Sequence, residues 1–348
     1  MKFVCYTEWE QLPESANTLF AQSEKGSLFF SRPWFENLTA VALDDDHTMA
    51  LACVVDDDNV MAILPLMKCA GNTWYSLKHR YTSLYSLLLS DNEQTEIQQR
   101  ILTCLSEGLS QLPIKAFLLE PVANDDKKLI DFQCVMEAAG FNCERIFRHY
   151  NWIYRVEGRS YEDYMAARPA KLRNTISRKK RKLEREHGYE IRLFTGNEVA
   201  QKMSDYHTVY NSSWKANEQY VDFLDGIVEG FSKQGWSRLA VLYVSERPIA
   251  AQLWFVLHDK ANIFRLSYDE GWKPYSPGSI LTSFLMEHVI DIDKVKDIDF
   301  LTGNDTYKQD WMSDRRERFV LSCVKNAKPK SWFELFTKSL KSSLKKYF

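Results

Sequence analysis

Residues 237–270 read SRLAVLYVSERPIAAQLWFVLHDKANIFRLSYDE. Three apolar runs are parted by Ser245-Glu246-Arg247-Pro248 and by His258-Asp259-Lys260. Runs of this length between short polar turns predict three consecutive antiparallel strands. Upstream, Ser160 to His187 has helical spacing, with Pro169 as a break point and Gly188 as a stop. The stretch YEIRLF (189–194) predicts a strand, and 198–214 and 221–234 predict helices. Downstream come a loop with Pro274, Pro277 and Gly278, a helix from Ser279 to about Ile290, and the strand KDIDFL (296–301). Arg316 to Val324 predicts a last strand. Helices, then a meander, then helix and strand describe an α+β (mixed α/β) unit rather than a doubly wound one.

The N-terminal part has its own version of this order. TMALACVV and VMAILPLMKC flank the acidic turn 56–59, a hairpin signal. Helical spacing follows over 93–112, a strand over IKAFLLEPV (114–122), a helix closed by Gly140, and a strand over NWIYRVEG (151–158). Residues 1–158 therefore read as one unit, 159–327 as a second, and 328–348 as a separate basic amphipathic helix. In that helix Trp332, Phe336, Leu340 and Leu344 recur every fourth residue. It would dock on the protein or lie on an anionic membrane surface.

The bulk composition excludes the extremes. At 45% hydrophobic and 26% charged, the 348 residues are those of an ordinary globular protein. The 45 basic and 47 acidic side chains nearly cancel, so net charge selects no partner. Seven cysteines show neither CxxC nor zinc spacing, and most lie in apolar runs. Free thiols in a reducing cytoplasm are the expectation. The first residues lack a signal-peptide pattern, and no apolar run is long enough to span a membrane. The seven histidines fit no metal motif, and GxGxxG, P-loop and GxSxG motifs are all missing.

Three stretches carry candidate chemistry. The turn into SPGSI (276–280) opens a helix, where free N–H groups and the helix dipole favour a phosphate. Ser276 or Ser279 would cap that helix, and Gly278 would let a ligand approach. A plain Pro-Gly turn would start a helix just as well. The stretch DFLTGNDTYKQDW (299–311) sets Lys308 between Tyr307 and Trp311 at the end of a strand. There the ammonium would hold an anion as a point charge in a pocket walled by aromatics. A surface loop anchored by Trp311 is the simpler alternative. Arg168 to Arg185 holds nine Lys/Arg and one Glu, with Leu172, Ile176 and Leu183 as a narrow apolar stripe. Such a helix repels itself unless an anion or acidic surface offsets it. A solvated face is the plain reading.

The order of SRPWFENL with AILPLM, KLRNTISRKKRKLEREHG, and PGSILTSFLMEHVI followed by IDFLTGNDTYKQDW resembles the GNAT acyltransferase superfamily. It is most similar to the CelD/BcsL-type branch, related to the Fem aminoacyltransferases, and the resemblance covers nearly the whole chain. It implies two tandem GNAT-like halves, each a mixed sheet flanked by helices, the first non-catalytic and the second catalytic. It also implies acetyl-CoA or another acyl-CoA as donor, with no metal. In place of the usual Arg/Gln-x-x-Gly-x-Gly/Ala loop the chain reads YSPGSI (275–280), so coenzyme A follows from the family. By the same resemblance, N–H groups of Leu266, Ser267 and Tyr268 would polarise the thioester carbonyl, and Pro277, Gly278, Ser279, Ile280 and Leu281 would hold the pyrophosphate. Tyr268, Asp299, Asp305, Tyr307 and Lys308 are the catalytic candidates, and no spacing rule selects among them. Arg173, Arg178, Trp214 and Trp311 are the expected acceptor-binding residues. The implied acceptor is a sugar, a lipid-linked intermediate of envelope or exopolysaccharide synthesis, or another small molecule. The implied location is the cytoplasm, with peripheral inner-membrane contact through the last helix as a variant. Transfer from a charged tRNA, and a non-catalytic nucleic-acid or scaffold module, are the competing readings.

Overall fold

The computed structural model describes residues 1–69, 71–90, 94–215 and 218–325. The helix expected over 328–348 lies outside the described residues. The chain divides into two compact units. The first holds 1–39, 43–148 and the returning segment from Glu317, and the second holds 40–42 and 149–316. The division expected near Gly158 thus falls ten residues earlier, inside a strand, and the last strand belongs mainly to the first unit rather than the second.

The first unit contains β1 (Lys2–Tyr6), α1 (Ala16–Ser23), α2 (Arg32–Val41), β2 (Thr48–Asp56), β3 (Asn59–Lys68), β4 (Thr73–Ser76) and β5 (Leu88–Leu89). Next come α3 (Thr95–Gln111), β6 (Ala116–Ala123), α4 (Lys127–Ala138) and the first half of β7 (Phe141–Arg155). Its sheet runs β1-β2-β3-β4-β6, with β4 and β6 parallel. The apolar faces of α3 and α4 pack Ile101, Leu105, Leu129 and Phe132 onto Leu64, Phe117 and Leu119. Gly108 is needed where α3 lies on β1, because a Cβ there would sit 2.0 Å from the Phe3 ring. Asn151 was expected to open the next strand, but β7 starts at Phe141, directly after Gly140 closes α4. Its first half mixes the polar and charged Asn142, Glu144, Arg145 and Arg148 among apolar residues, which hides it in a search for apolar runs. Cys143 and Cys323 are disulfide-bonded across 180 residues of sequence, where free thiols were expected.

The second unit begins with the rest of β7 and continues through α5 (Tyr161–Ala166), α6 (Ala170–His187), β8 (Glu190–Thr195), α7 (Asn197–Gln201), α8 (Met203–Asn211) and α9 (Val221–Lys233). Then come β9 (Ser237–Val244), β10 (Arg247–Leu257), β11 (Lys260–Tyr268), α10 (Pro277–Glu287), β12 (Asp297–Thr302), α11 (Lys308–Trp311) and the start of β13 (Asp314–Lys325). Strand order is β7-β12-β11-β10-β9-β8. The quoted meander is β9, β10 and β11, but its turns are tighter than expected. Ser245-Glu246 and His258-Asp259 are two-residue loops with all four φ values between 46° and 62°. Positive φ at both central residues gives the turn whose twist matches a hairpin.

Both faces of this meander are buried. Ala240, Leu242 and Trp254 pack with Leu172, Ile176, Ile280 and Leu285 of α6 and α10. On the other side Phe255 meets Phe231 of α9, ring centroids 4.8 Å apart. Each face of a strand pattern this apolar must be covered, and helices cover both. Among the described residues no helix is long and apolar enough to cross a membrane.

One irregularity shapes the far edge. Leu301 has φ 55° and the β12–β7 register slips between Asp299 and Thr302. Fully buried Asn151 donates to the Asp299 carboxylate (2.6 Å) and to the Leu301 carbonyl (2.9 Å). Arg316 donates to both Asn151 and Asp299. Replacing Asn151 with Ala takes the donor from the buried Leu301 carbonyl and one contact from Asp299, so unfolding free energy should fall by about 1–3 kcal/mol. A urea titration with an unchanged midpoint would refute the role given to Asn151.

Candidate active site

Parallel strands β11 and β12 pair over only three residues, Lys260–Asn262 with Asp297–Asp299. Beyond that point they stop pairing. On β11, Phe264 is an extra residue, since Leu253 faces Arg265 and Trp254 faces Ile263. A bulge of this kind kinks a strand and re-aims the groups that follow. The segments 265–268 and 300–302 therefore carry backbone groups that do not satisfy one another. A slot between two parting strands follows, with β11 as one wall.

The start of α10 lies at the end of the β11 wall. Ser276 is left-handed (φ 52°, ψ 49°), and Pro277 takes the first helical position. Ser279 and Ile280 both donate to the Ser276 carbonyl, and proline has no N–H. Gly278 is left as the open donor of the turn among the described residues. The side chains of Ser276 and Ser279 make no capping bond, contrary to expectation. Instead, fully buried Gln252 of β10 fixes the turn, donating to the Gly278 carbonyl (2.9 Å) and the Thr282 hydroxyl (2.7 Å). Trp254 donates in turn to Gln252 (3.0 Å). The space at Gly278 is taken by Tyr268: an added Cβ would lie 3.2 Å from its ring. A larger residue at 278 would have to push the Tyr268 ring aside.

The loop after α8 forms the other boundary. Trp214, nearly half exposed, packs at a tilt against Tyr268 with centroids 4.6 Å apart. Lys215 donates to the Leu266 carbonyl and lies 3.5 Å from the Ser267 hydroxyl. Its ammonium also sits 5.5 Å from the Tyr210 ring centre and 5.4 Å from that of Trp214. Burial, and then the neighbouring Arg265, pull its pKa down to about 8 against the opposing pull of Glu218. Sequence reading missed both Lys215 and Gln252. An isolated lysine in a polar loop and a single glutamine in a strand carry no periodic signal.

The expected residues divide accordingly. Leu266, Ser267, Tyr268, Gly278 and Trp214 are brought together. Ile280 and Leu281 turn their side chains into the core. Asp299 is held by Asn151, Arg316 and the Leu301 N–H, which makes it a bulge anchor instead of a free base. Lys308 was expected as an open point charge. It is 4% exposed and donates to the carbonyls of Phe300 (3.0 Å) and Thr302 (2.6 Å), with Asp305 at 3.7 Å. Burial lowers its pKa, while Asp305 and Asp299 oppose the shift. Trp311 is core, not a pocket wall, and its carbonyl accepts from Tyr164 and Arg168. Tyr307 is exposed and meets Phe300 edge-on. Asp305 is exposed. Arg173 and Arg178 lie on the solvent side of α6. The inner side of that helix uses Lys179 and Lys180 to reach Pro274 and Ser283.

The stretch from α6 to α11, residues 170–309, matches the acetyltransferase (GNAT) domain family. The chain is an acyltransferase. Every element of the slot lies inside the matched stretch. Among solved structures it is similar to FemX, at 11% identity and TM-score 0.61, over 92% of this chain and 97% of that one. It is also similar to the C-terminal domain of a candidate lysylphosphatidylglycerol synthetase from Agrobacterium fabrum, at 11% identity and TM-score 0.55, over 89% and 93%. L-PGS from Bacillus licheniformis follows at 12% identity and TM-score 0.53, over 88% and 95%. At these identities the likeness is one of fold. No match arises among curated protein sequences.

Lys308 provides the test of this geometry. Lys308→Met removes a donor from two carbonyls at the end of β12. It should lower unfolding stability by about 1–3 kcal/mol as well as any activity. A variant with parental stability would show that those carbonyls find other partners and that Lys308 is not a clip.

Proposed function

We propose that the chain transfers an acyl group, with acetyl as the first choice, from acyl-CoA to an amine or hydroxyl. The observation that carries this is the parting of β11 from β12 beside the open N–H of Gly278. One wall offers backbone donors and the helix start offers a positive end. The acyl thioester would lie along Leu266–Tyr268. Donors aimed at the carbonyl oxygen stabilise the oxyanion that forms as the nucleophile attacks. The pyrophosphate would sit at the first turn of α10, where Gly278 and the helix dipole favour an anion. Tyr268, packed between Trp214 and Gly278, would contact the thioester end and protonate the leaving thiolate.

The acceptor would enter from the side of Trp214. A sugar or lipid-linked acceptor, and kinship with the CelD/BcsL-type enzymes of envelope or exopolysaccharide synthesis, remain part of this proposal. A second reading takes the acyl group from an aminoacyl-tRNA, as in a Fem-like enzyme. The exposed cations of α6, Arg173 and Arg178 among them, favour it by offering an unneutralised basic face. Binding through several phosphates weakens steeply with salt, whereas a buried coenzyme site responds less.

Calorimetry with acetyl-CoA and with bulk tRNA, each at low and high salt, separates the readings. Acetyl-CoA should bind with a modest salt response, and Gly278→Val should abolish that binding because it displaces Tyr268. A thermal shift on adding acetyl-CoA to the parent should vanish in the variant. Salt-sensitive tRNA binding without acetyl-CoA binding would replace the first reading with the second.

A further inference from the structure

We propose that Lys215 is itself an acyl acceptor, so that the enzyme acylates its own side chain. This rests on the reading that acyl-CoA lies along β11. The Lys215 amine is bonded to the Leu266 carbonyl and lies 3.5 Å from the Ser267 hydroxyl. Those are the residues assigned to the thioester, so amine and acyl carbon share one short segment of strand. Reacting atoms held about 3–3.5 Å apart react as if at very high concentration.

The surroundings favour the nucleophilic form of the amine. Among the described residues no carboxylate lies within ion-pair distance of Lys215. The nearest candidate, Glu218, is itself buried and paired with Arg265 at 2.8 Å. Arg265 adds a like charge. Tyr210 of α8 and Trp214 keep water from the side chain; their ring faces, like Glu218, pull toward the charged form, and burial with Arg265 outweighs them. A buried lysine beside another cation is a recurrent way to obtain a neutral amine near neutral pH.

The step balances without another reactant. The nitrogen lone pair attacks the thioester carbonyl carbon, a C–N bond forms and the C–S bond breaks. Coenzyme A leaves as thiolate and takes up the proton that nitrogen loses. The product is an amide on Lys215 that keeps one N–H for the Leu266 carbonyl. It has no charge, and its acyl group occupies the space of the next thioester. Acylation of Lys215 therefore acts as a brake when acyl-CoA is abundant and acceptor is scarce.

The experiment needs no acceptor. The full chain is incubated with radiolabelled acetyl-CoA from pH 7 to 9.5, and the modified peptide is mapped by mass spectrometry. Acetyl-CoA binding is measured in parallel by calorimetry. Label should fall on Lys215, at a rate rising about tenfold per pH unit below pH ~8 and levelling above it. Lys215→Arg should bind acetyl-CoA and stay unlabelled. Urea-unfolded chain should show scattered, slow labelling only. If acetyl-CoA binds and Lys215 remains unmodified, or is labelled no faster than the unfolded chain, the proposal is overturned alone. If acetyl-CoA does not bind, the coenzyme reading fails and carries the proposal with it.

Discussion

The second unit depends on two parallel strands that separate after three residue pairs. Backbone N–H and C=O groups removed from water must find partners, and a strand that leaves its neighbour loses one row of them. Here a bulge marks each strand near the parting, at Phe264 on β11 and around Leu301 on β12. A lysine from a loop then reaches each wall. Lys215 bonds the Leu266 carbonyl, and Lys308 bonds those of Phe300 and Thr302. The two differ in their settings. Lys308 has two acidic neighbours, Asp305 and Asp299, that help to keep it charged, and its bonds are to a strand end. Lys215 is buried beside the Arg265 cation, a setting that favours its neutral form against the pull of Glu218. Similar backbone demands are thus met by one side chain suited to a structural clip and another suited to chemistry.

The helix that closes the slot is placed by equally specific contacts. A buried glutamine satisfies its amide only if Gly278 and Thr282 come to it, and its oxygen only if Trp254 does. Leaving any of these groups unmatched inside a core costs more than the bond itself contributes. The chain Trp254–Gln252–Gly278 therefore sets where α10 begins relative to β10. The ring of Tyr268 fills the remaining gap at Gly278 and packs at a tilt against Trp214. Strand, helix start and loop are locked together by three polar contacts and one aromatic pair.

What was legible in the sequence was local. Apolar runs between Ser245-Glu246 and His258-Asp259 disclosed β9 to β11, and Pro277-Gly278 disclosed the helix after them. Gly188 and Gly140 ended helices where expected. The misreadings involve partners distant in sequence. Nothing near Asp299 indicates Asn151, which lies 148 residues away. Cys143 and Cys323 are equally remote, and charge along the first half of β7 concealed the strand that joins them. Lys308 looked like a free cation because its neighbours Tyr307 and Trp311 are aromatic. Its true partners are backbone carbonyls, which a sequence does not distinguish. The return of Glu317 onward to the first unit was hidden for the same reason, since β13 reads as an ordinary last strand.

The basic helix α6 shows why charge counts alone mislead about sites. The nine cations from Arg168, just before it, to Arg185 looked like one surface. In the fold they have separate tasks. Arg168 is buried against Tyr154 and Tyr164 and donates to the Trp311 carbonyl. Lys179 reaches Pro274, Lys180 reaches Ser283, and Lys182 lies 4.5 Å from the Tyr275 ring centre. Those contacts hold the helix along the segment that leads into α10, so part of the charge secures the helix start. Only the outward residues, including Arg173 and Arg178, keep their charge in water. Repulsion along the helix is relieved by carbonyls, hydroxyls and ring faces, and near its end by Glu186, which lies 3.8 Å from Lys182 and 2.8 Å from Arg185. Arg173 and Arg178 stand outside these contacts, and the field they project is the part of α6 available to an anionic ligand.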